Sequence, residues 1–266
     1  MRQLSEDELK KIQLEILDVV VKFCEEQNIN YWIDCGTLLG AVRHKGYIPW
    51  DDDIDIGMLR PDYEKFISSF NGYDERYKVI CPENDPDFSL AFAKIMDTKT
   101  VLYEPDEKGR KMCINIDVFV YDNVPDDEKA ARNFFRRKTI LYILNVARQA
   151  RIFQQPKGGI IRRLCVYALR SAVRIFPRNY FIRKLIANAK RYNNIDTKRV
   201  SNSLSIGYMR CARRVLTSFI DGEFEGKRYR IPAGYDEYLR ECYGEYMQLP
   251  PEEKRISTHI FKAYSD

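Results

Sequence analysis

Apolar residues recur at helical spacing near the start of the chain: Leu9, Ile12, Ile16, Val20 and Phe23. Spaced three and four apart, they share one face of a helix. Ser5-Glu6-Asp7-Glu8 has the form of a capping box, so the helix is expected over residues 6–26. The period then shortens. Residues 31–34 read as a short strand, Gly36 as a turn into a helix over 38–43, 46–50 as a loop, and 54–58 as a strand. Pro61 sits at the start of a helix over 62–70. Short strands are expected at 77–81, 92–96 and 101–103. Alternation is clearest over 115–121, where Ile114, Ile116 and Val118 fall on one face and Asn115, Asp117 and Phe119 on the other.

From residue 126 the pattern turns helical, over 126–153, 160–176 and 180–193, with breaks at QQPKGG (154–159) and at Pro177. After Ser201 strands and turns return. A helix is expected over 236–243, and Pro250-Pro251 opens another short one. The chain is therefore expected to be α+β. Residues 1–125 form a core, 126–200 a helical segment, and 201–266 a part that completes the core.

Charge sharpens the division. The net charge is only +5, yet residues 132–199 hold 18 lysines and arginines and one acid, Asp196, a local charge of +17. The remainder has 26 basic and 38 acidic residues, or −12. The middle segment is expected to meet something anionic. In 160–176, Arg163, Arg170 and Arg174 align on one helical face, while Ile161, Leu164, Ala168, Ala172 and Ile175 lie largely on another. That suits either an anionic membrane surface or packing against the core. No aromatic–basic platform for nucleic acid is present, so none is expected.

The N-terminus is charged and lacks an apolar stretch, and no run of apolar residues is long enough to span a bilayer. Seven cysteines are scattered singly with no CxxC, which points to reduced thiols in a cytoplasmic setting.

Candidate chemistry concentrates between Tyr31 and Met58. Asp53 and Asp55 stand two apart on an expected strand, so both carboxylates face one side while Ile54 and Ile56 face the core. Asp117 occupies the polar face of another strand. Two carboxylates ~4 Å apart repel by about 4 kcal/mol at an effective dielectric near 20. A divalent cation would cancel that, and oxygen ligands suit Mg²⁺ or Mn²⁺. Taken alone, the acidic run could equally be a solvated turn, with Asp51 and Asp52 as surface charge. Gly36-Thr37 upstream can approach a phosphate at the start of a helix. Arg43 and Lys45 could bind further phosphates, or simply answer the helix dipole. The tyrosines Tyr235, Tyr238, Tyr243 and Tyr246 read as packing residues or as a stacking surface.

GTLLGAVRHKGYIPWDDDIDIGMLRPDYEKF, with INIDVF (114–119) and IPAGYDEYLRECYGEYMQLPPEEKR (231–255), resembles the LicD family, which includes fukutin-related proteins. The resemblance covers most of the chain apart from about 126–199. It implies a nucleotidyltransferase-like fold, a small mixed β-sheet with flanking helices, here with a helical insertion. It also implies transfer of a phospho-alcohol, phosphocholine-like or a polyol phosphate, from a CDP-activated donor to a hydroxyl of a glycan or lipid-linked glycan. Asp53, Asp55 and Asp117 would be catalytic and metal-binding, Gly36, Thr37, Arg43 and Lys45 would face the donor phosphates, and Asp51 keeps a family acid. Arg255 and His259 are expected at donor or acceptor on family grounds alone. Transfer of a nucleotide to a small molecule or sugar, or silent binding of nucleotide or glycan, are the alternatives. The setting expected is cytoplasmic, with peripheral contact at the inner face of the plasma membrane.

Overall fold

The computed structural model describes residues 1–103, 112–150, 156, 158–202, 210–257 and 262–265. In chain order the elements begin with β1 (Arg2–Gln3), α1 (Glu6–Glu26), β2 (Trp32–Ile33), α2 (Cys35–His44), β3 (Asp55–Leu59) and α3 (Arg60–Ser69). The strands β4 (Tyr77–Ile80), β5 (Ala93–Asp97), β6 (Thr100–Tyr103) and β7 (Asn115–Val124) follow. Next come α4 (Glu128–Gln149), α5 (Ile160–Ala172), α6 (Tyr180–Ala189) and β8 (Arg199–Asn202). The chain closes with β9 (Cys211–Ala212), β10 (Phe219–Phe224), β11 (Lys227–Pro232), α7 (Tyr235–Tyr243) and β12 (Lys262–Ser265). The fold is α+β, with a mixed sheet.

Two compact units emerge: Met1–Ile80 with Ala93–Tyr121 and Cys211–Asp266, and Cys81–Phe92 with Asp122–Arg210. Cys81–Phe92 thus groups with the helices rather than with the sheet.

In the first unit the strand order is β2-β3-β7-β5-β4. β3 and β7 run parallel and the other neighbours antiparallel. The Ser5 cap is built as the sequence implies: Ser5 Oγ accepts from Glu8 N–H, and Glu8 Oε2 accepts from Ser5 N–H. From there α1 buries Leu9, Gln13, Ile16, Leu17, Val20, Phe23 and Cys24, the face its periodicity marks out. Phe23 meets Phe66 and Phe70 edge to face, which seats α3 beside α1. Each such fully buried side chain contributes about 1.5–3 kcal/mol of burial. β12 lies between β1 and β6, and β10 pairs with β11 through a two-residue turn, Glu225-Gly226, both at positive φ.

In the second unit, Val124, Phe134 and Phe135 pack with Tyr192. A second cluster joins Ala147, Val173 and Phe181 to Leu141, Leu144, Leu169, Phe176 and Tyr180. Burial on α4 follows Ala131, Phe134, Phe135, Lys138, Asn145 and Ala147. Its N-terminus is capped by Asp127 Oδ1, which accepts from Ala130 N–H.

Candidate active site

Asp55 and Asp117 face each other in register on the parallel strands β3 and β7, and Lys94 stands opposite Asp117 on antiparallel β5. Neighbouring strands lie about 4.8 Å apart, and register partners share a face. The three side chains therefore form one row across the sheet: acid, acid, base. Lys94 Nζ donates to Asp117 Oδ1 at 2.6 Å and to Asn115 Oδ1 at 2.9 Å. Asp53 lies two residues before Asp55, just outside the strand. Its carboxyl is pushed up to about 7 by burial first, then by the charges of Asp51 and Asp117. Asp55, 7% exposed, is driven well above the usual carboxylate range by burial and by Asp53, Asp117 and Asp34. Crowded anions in a poorly solvated place resist ionising together.

Carboxylate oxygens of Asp51, Asp52 and Asp53 all lie within 4.8 Å of one another. Asp52 is pinned: Gln13 Nε2 donates to its carbonyl at 2.9 Å, and Ser257 Oγ to its carboxylate at 2.8 Å. Tyr47 holds Gln13 in turn, its hydroxyl donating to Gln13 Oε1 at 3.0 Å. Such an all-oxygen donor set matches the chemistry of a hard divalent cation.

The glycine turn abuts this cluster. A Cβ on Gly36 would come within 2.5 Å of Asp51 Oδ2, so any other residue there would displace the end of the Asp51 side chain. Thr37 is buried, and its Oγ1 accepts from the Asp55 backbone N–H at 2.8 Å. That bond locks the start of α2 onto the strand bearing the acids. Cys35 adopts φ 46°, a left-handed conformation that costs about 1–2 kcal/mol in a non-glycine residue. The neighbouring bonds Asp34 N–H to Asp55 O and Leu38 N–H to Asp34 O, both 2.9 Å, hold it there. Helix α2 begins earlier than the periodicity implied, and Gly36 and Thr37 sit in its first turn.

The other expected residues are placed differently. Arg43 Nη1 donates to Tyr246 O at 2.7 Å and its Nε to His44 Nε2 at 2.9 Å. The guanidinium thus ties α2 to the segment after α7, and a phosphate contact would require these bonds to be given up. Lys45 is exposed at φ 62°, closing α2, with its carbonyl accepting from Glu225 N–H at 2.9 Å. Arg255 donates to Pro250 O at 2.8 Å and lies 6.0 Å from the Trp50 ring, one residue from Asp51. His259 lies outside the described residues. A cavity of about 480 Å³ opens at the same end of the acidic loop, lined among others by Ser5, Glu6, Trp50, Asp51, Asp52 and Ser257. Asp53 and Asp55 do not line it.

Two features had gone unread in the sequence. Lys94 was visible as a polar position in the alternating stretch AFAKIMD. Asp34, immediately before the glycine turn, is fully buried and accepts from Tyr121 Oη at 2.7 Å and Tyr238 Oη at 2.6 Å. Burial raises its carboxyl, and the two hydroxyl donors oppose that rise.

Residues 28–139, which span the glycine turn and every acid of the row, match the family model described as the LicD/FKTN/FKRP nucleotidyltransferase domain. Across 99% of both chains, the sequence is 31% identical to the lipopolysaccharide cholinephosphotransferase LicD of Haemophilus influenzae. The chain belongs to the LicD family. It is a LicD-type phosphotransferase. Shorter matches reach the ribitol 5-phosphate transferase FKRP of Mus musculus, 46% identical over 43 residues, 16% of this chain and 9% of that protein. Mouse ribitol-5-phosphate transferase FKTN is 33% identical over 58 residues, 22% of this chain and 13% of that protein.

Proposed function

We propose that the chain moves a phospho-alcohol, phosphocholine in the first instance, from a CDP-activated donor to a sugar hydroxyl of a cell-surface glycan. The end-to-end similarity to a lipopolysaccharide cholinephosphotransferase carries this reading, and the in-register row of Asp55, Asp117 and Lys94 supports it. Asp53, Asp55 and Asp117 would hold Mg²⁺ or Mn²⁺, with Asp51 alongside. Such an ion, when bound, supplies neutralising charge to the phosphates.

The residues of the chain do the rest. Gly36 and the first turn of α2 offer backbone N–H groups and the positive end of a helix to the donor pyrophosphate. Thr37 keeps that turn fixed against Asp55. Asp117, oriented by Lys94, takes the proton of the acceptor hydroxyl as its oxygen bonds to the phosphorus bearing the alcohol. The bond from that phosphorus to CMP breaks, and CMP leaves with the electron pair. The cavity beside Trp50 mixes apolar walls, Leu4, Leu9 and Pro49, with Ser5, Asp51 and Ser257, and the Trp50 ring could stack on a sugar acceptor. All seven cysteines are free thiols, in keeping with a reaction on the cytoplasmic side of the membrane.

Product analysis tests the reading. CDP-choline, CDP-ribitol and CDP-glycerol are each supplied with Mg²⁺ and a glycan acceptor. Release of CMP with phospho-alcohol on the glycan is expected, fastest from CDP-choline. Pyrophosphate released from a nucleoside triphosphate, with no CMP from any CDP-alcohol, would make the chain a nucleotidyltransferase instead. Release of neither would leave a binding protein.

A further inference from the structure

Within the second unit, α5 contains no buried residue. Ile161, Leu164, Cys165, Ala168, Ala172 and Ile175 recur three and four apart along it and the turn that follows, and each is exposed. Ile161 is 76% exposed, Leu164 62% and Ile175 81%. At 3.6 residues per turn these six fall within an arc of about 100°. Leu169, Val173 and Phe176, which pack on the unit's own core, occupy a different arc. The apolar stripe is therefore not the face that holds the helix in place. A third arc carries Arg163, Arg170 and Arg174. A similar exposed apolar run, Ile140, Ile143 and Val146, lies on α4. Exposed apolar surface of this kind marks a place where something else docks.

Charge identifies what docks. Residues 132–199 carry +17, and Arg136, Arg137, Arg183, Lys184 and Arg191 are exposed on α4, α6 and the turn after it. A second copy would bring two such surfaces together. An anionic lipid surface offers both an apolar interior and compensating charge, and long arginine stems can reach its phosphates. We propose that α5 lies along an anionic membrane surface, with Ile161, Leu164, Ala168 and Ile175 sunk to the acyl boundary and the arginines at the headgroups.

The test is sedimentation of the full chain with vesicles. Binding to equal parts phosphatidylglycerol and phosphatidylcholine is expected, weaker by about tenfold or more on phosphatidylcholine alone. Ile161→Glu with Leu164→Glu, both at exposed positions, should weaken binding to anionic vesicles by about tenfold or more without changing helicity or melting. As a second readout, Ile161→Trp should shift its emission to the blue when anionic vesicles are added. Failure of the wild-type chain to sediment with anionic vesicles overturns the proposal, as does binding indifferent to the Glu pair. So does a dimer in analytical ultracentrifugation that the Glu pair dissociates, since the stripe would then belong to a second copy.

Discussion

Asp55 in the sheet unit and Lys138 in the helical unit are both buried charges, 7% and 6% exposed, and burial pushes each toward its neutral form. Their surroundings differ. Lys138 Nζ donates to Asn202 O at 2.7 Å, stands 5.7 Å from the Phe135 ring and feels the opposite charge of Asp122. Its burial is offset by partners inside the protein. Asp55 is surrounded by Asp53, Asp117, Asp34 and Asp51, all of its own sign. The helical unit compensates its buried charge locally, and many of its other bases, such as Arg136, Arg137, Arg183 and Lys184, are exposed. The sheet unit crowds acids at one spot, with Lys94 paired to Asp117 beside them, and a divalent cation would relieve that crowding. A buried charge met by donors and an opposite charge is held by the fold, whereas a crowd of like charges with strongly raised carboxyls marks a candidate site for chemistry.

The strongest way to break this contrast is Asp55→Asn. It should lower CMP release by about a thousandfold, read in the transfer assay with circular dichroism confirming the fold. Activity within tenfold of wild type would remove the cation site from the reaction.

A second experiment uses pH on the metal-free chain. The Asp53 carboxyl is raised from its ordinary value to about 7, so between about pH 4 and 7 the folded state holds more protons than the unfolded one. Stability should fall as pH rises through that window, by several degrees in melting temperature. Mg²⁺ should restore it mostly at the upper end. Lys138, lowered to about 8, acts in the opposite sense: stability gained from losing its proton appears as pH rises from about 8 toward 10.5. A melting profile that climbs between pH 4 and 7 without metal would contradict the crowding of the acids.

Lys138→Met has the smallest expected effect on function. It should cost about 1–3 kcal/mol in urea unfolding, because Asn202 O loses its charged donor and keeps only the longer bond from Ser201 Oγ, and leave transfer activity within about twofold. A large loss of activity at unchanged stability would mean that the buried lysine serves chemistry after all.

Much of this was legible from residue patterns. The period of Leu9 through Phe23 and the Ser5 box gave α1 to the residue, because a capped amphipathic helix is specified locally. Alternation over Asn115–Tyr121 placed Asp117 on a polar face. The strand of Asp55 begins at that residue, so Asp53 acts on Asp55 from the loop before it and not from the strand its spacing suggested. What local pattern does not contain is pairing. That Asp117 lies opposite Lys94, and that Arg43 reaches Tyr246 across two hundred residues of chain, depends on strand order and on where the C-terminal segment returns. Helix α2 starts early because Cys35 accepts a left-handed conformation, which no propensity would assign to it. The apolar side of α5 was read correctly as a face. Its exposure is a tertiary fact, for the periodicity of a solvent-facing stripe and a buried one is the same.

The bonds at Asp34 set a condition on how the enzyme is made. Its carboxylate is satisfied by hydroxyls from β7 and from α7, and those two hydroxyls lie 2.7 Å from each other. Until the ribosome has delivered Tyr238, the acid beside the glycine turn lacks one of its two hydroxyl donors, and its burial is answered less fully. The nascent sheet unit should therefore stay open through most of its synthesis and close late, when the last helix arrives to seal the site its first quarter began.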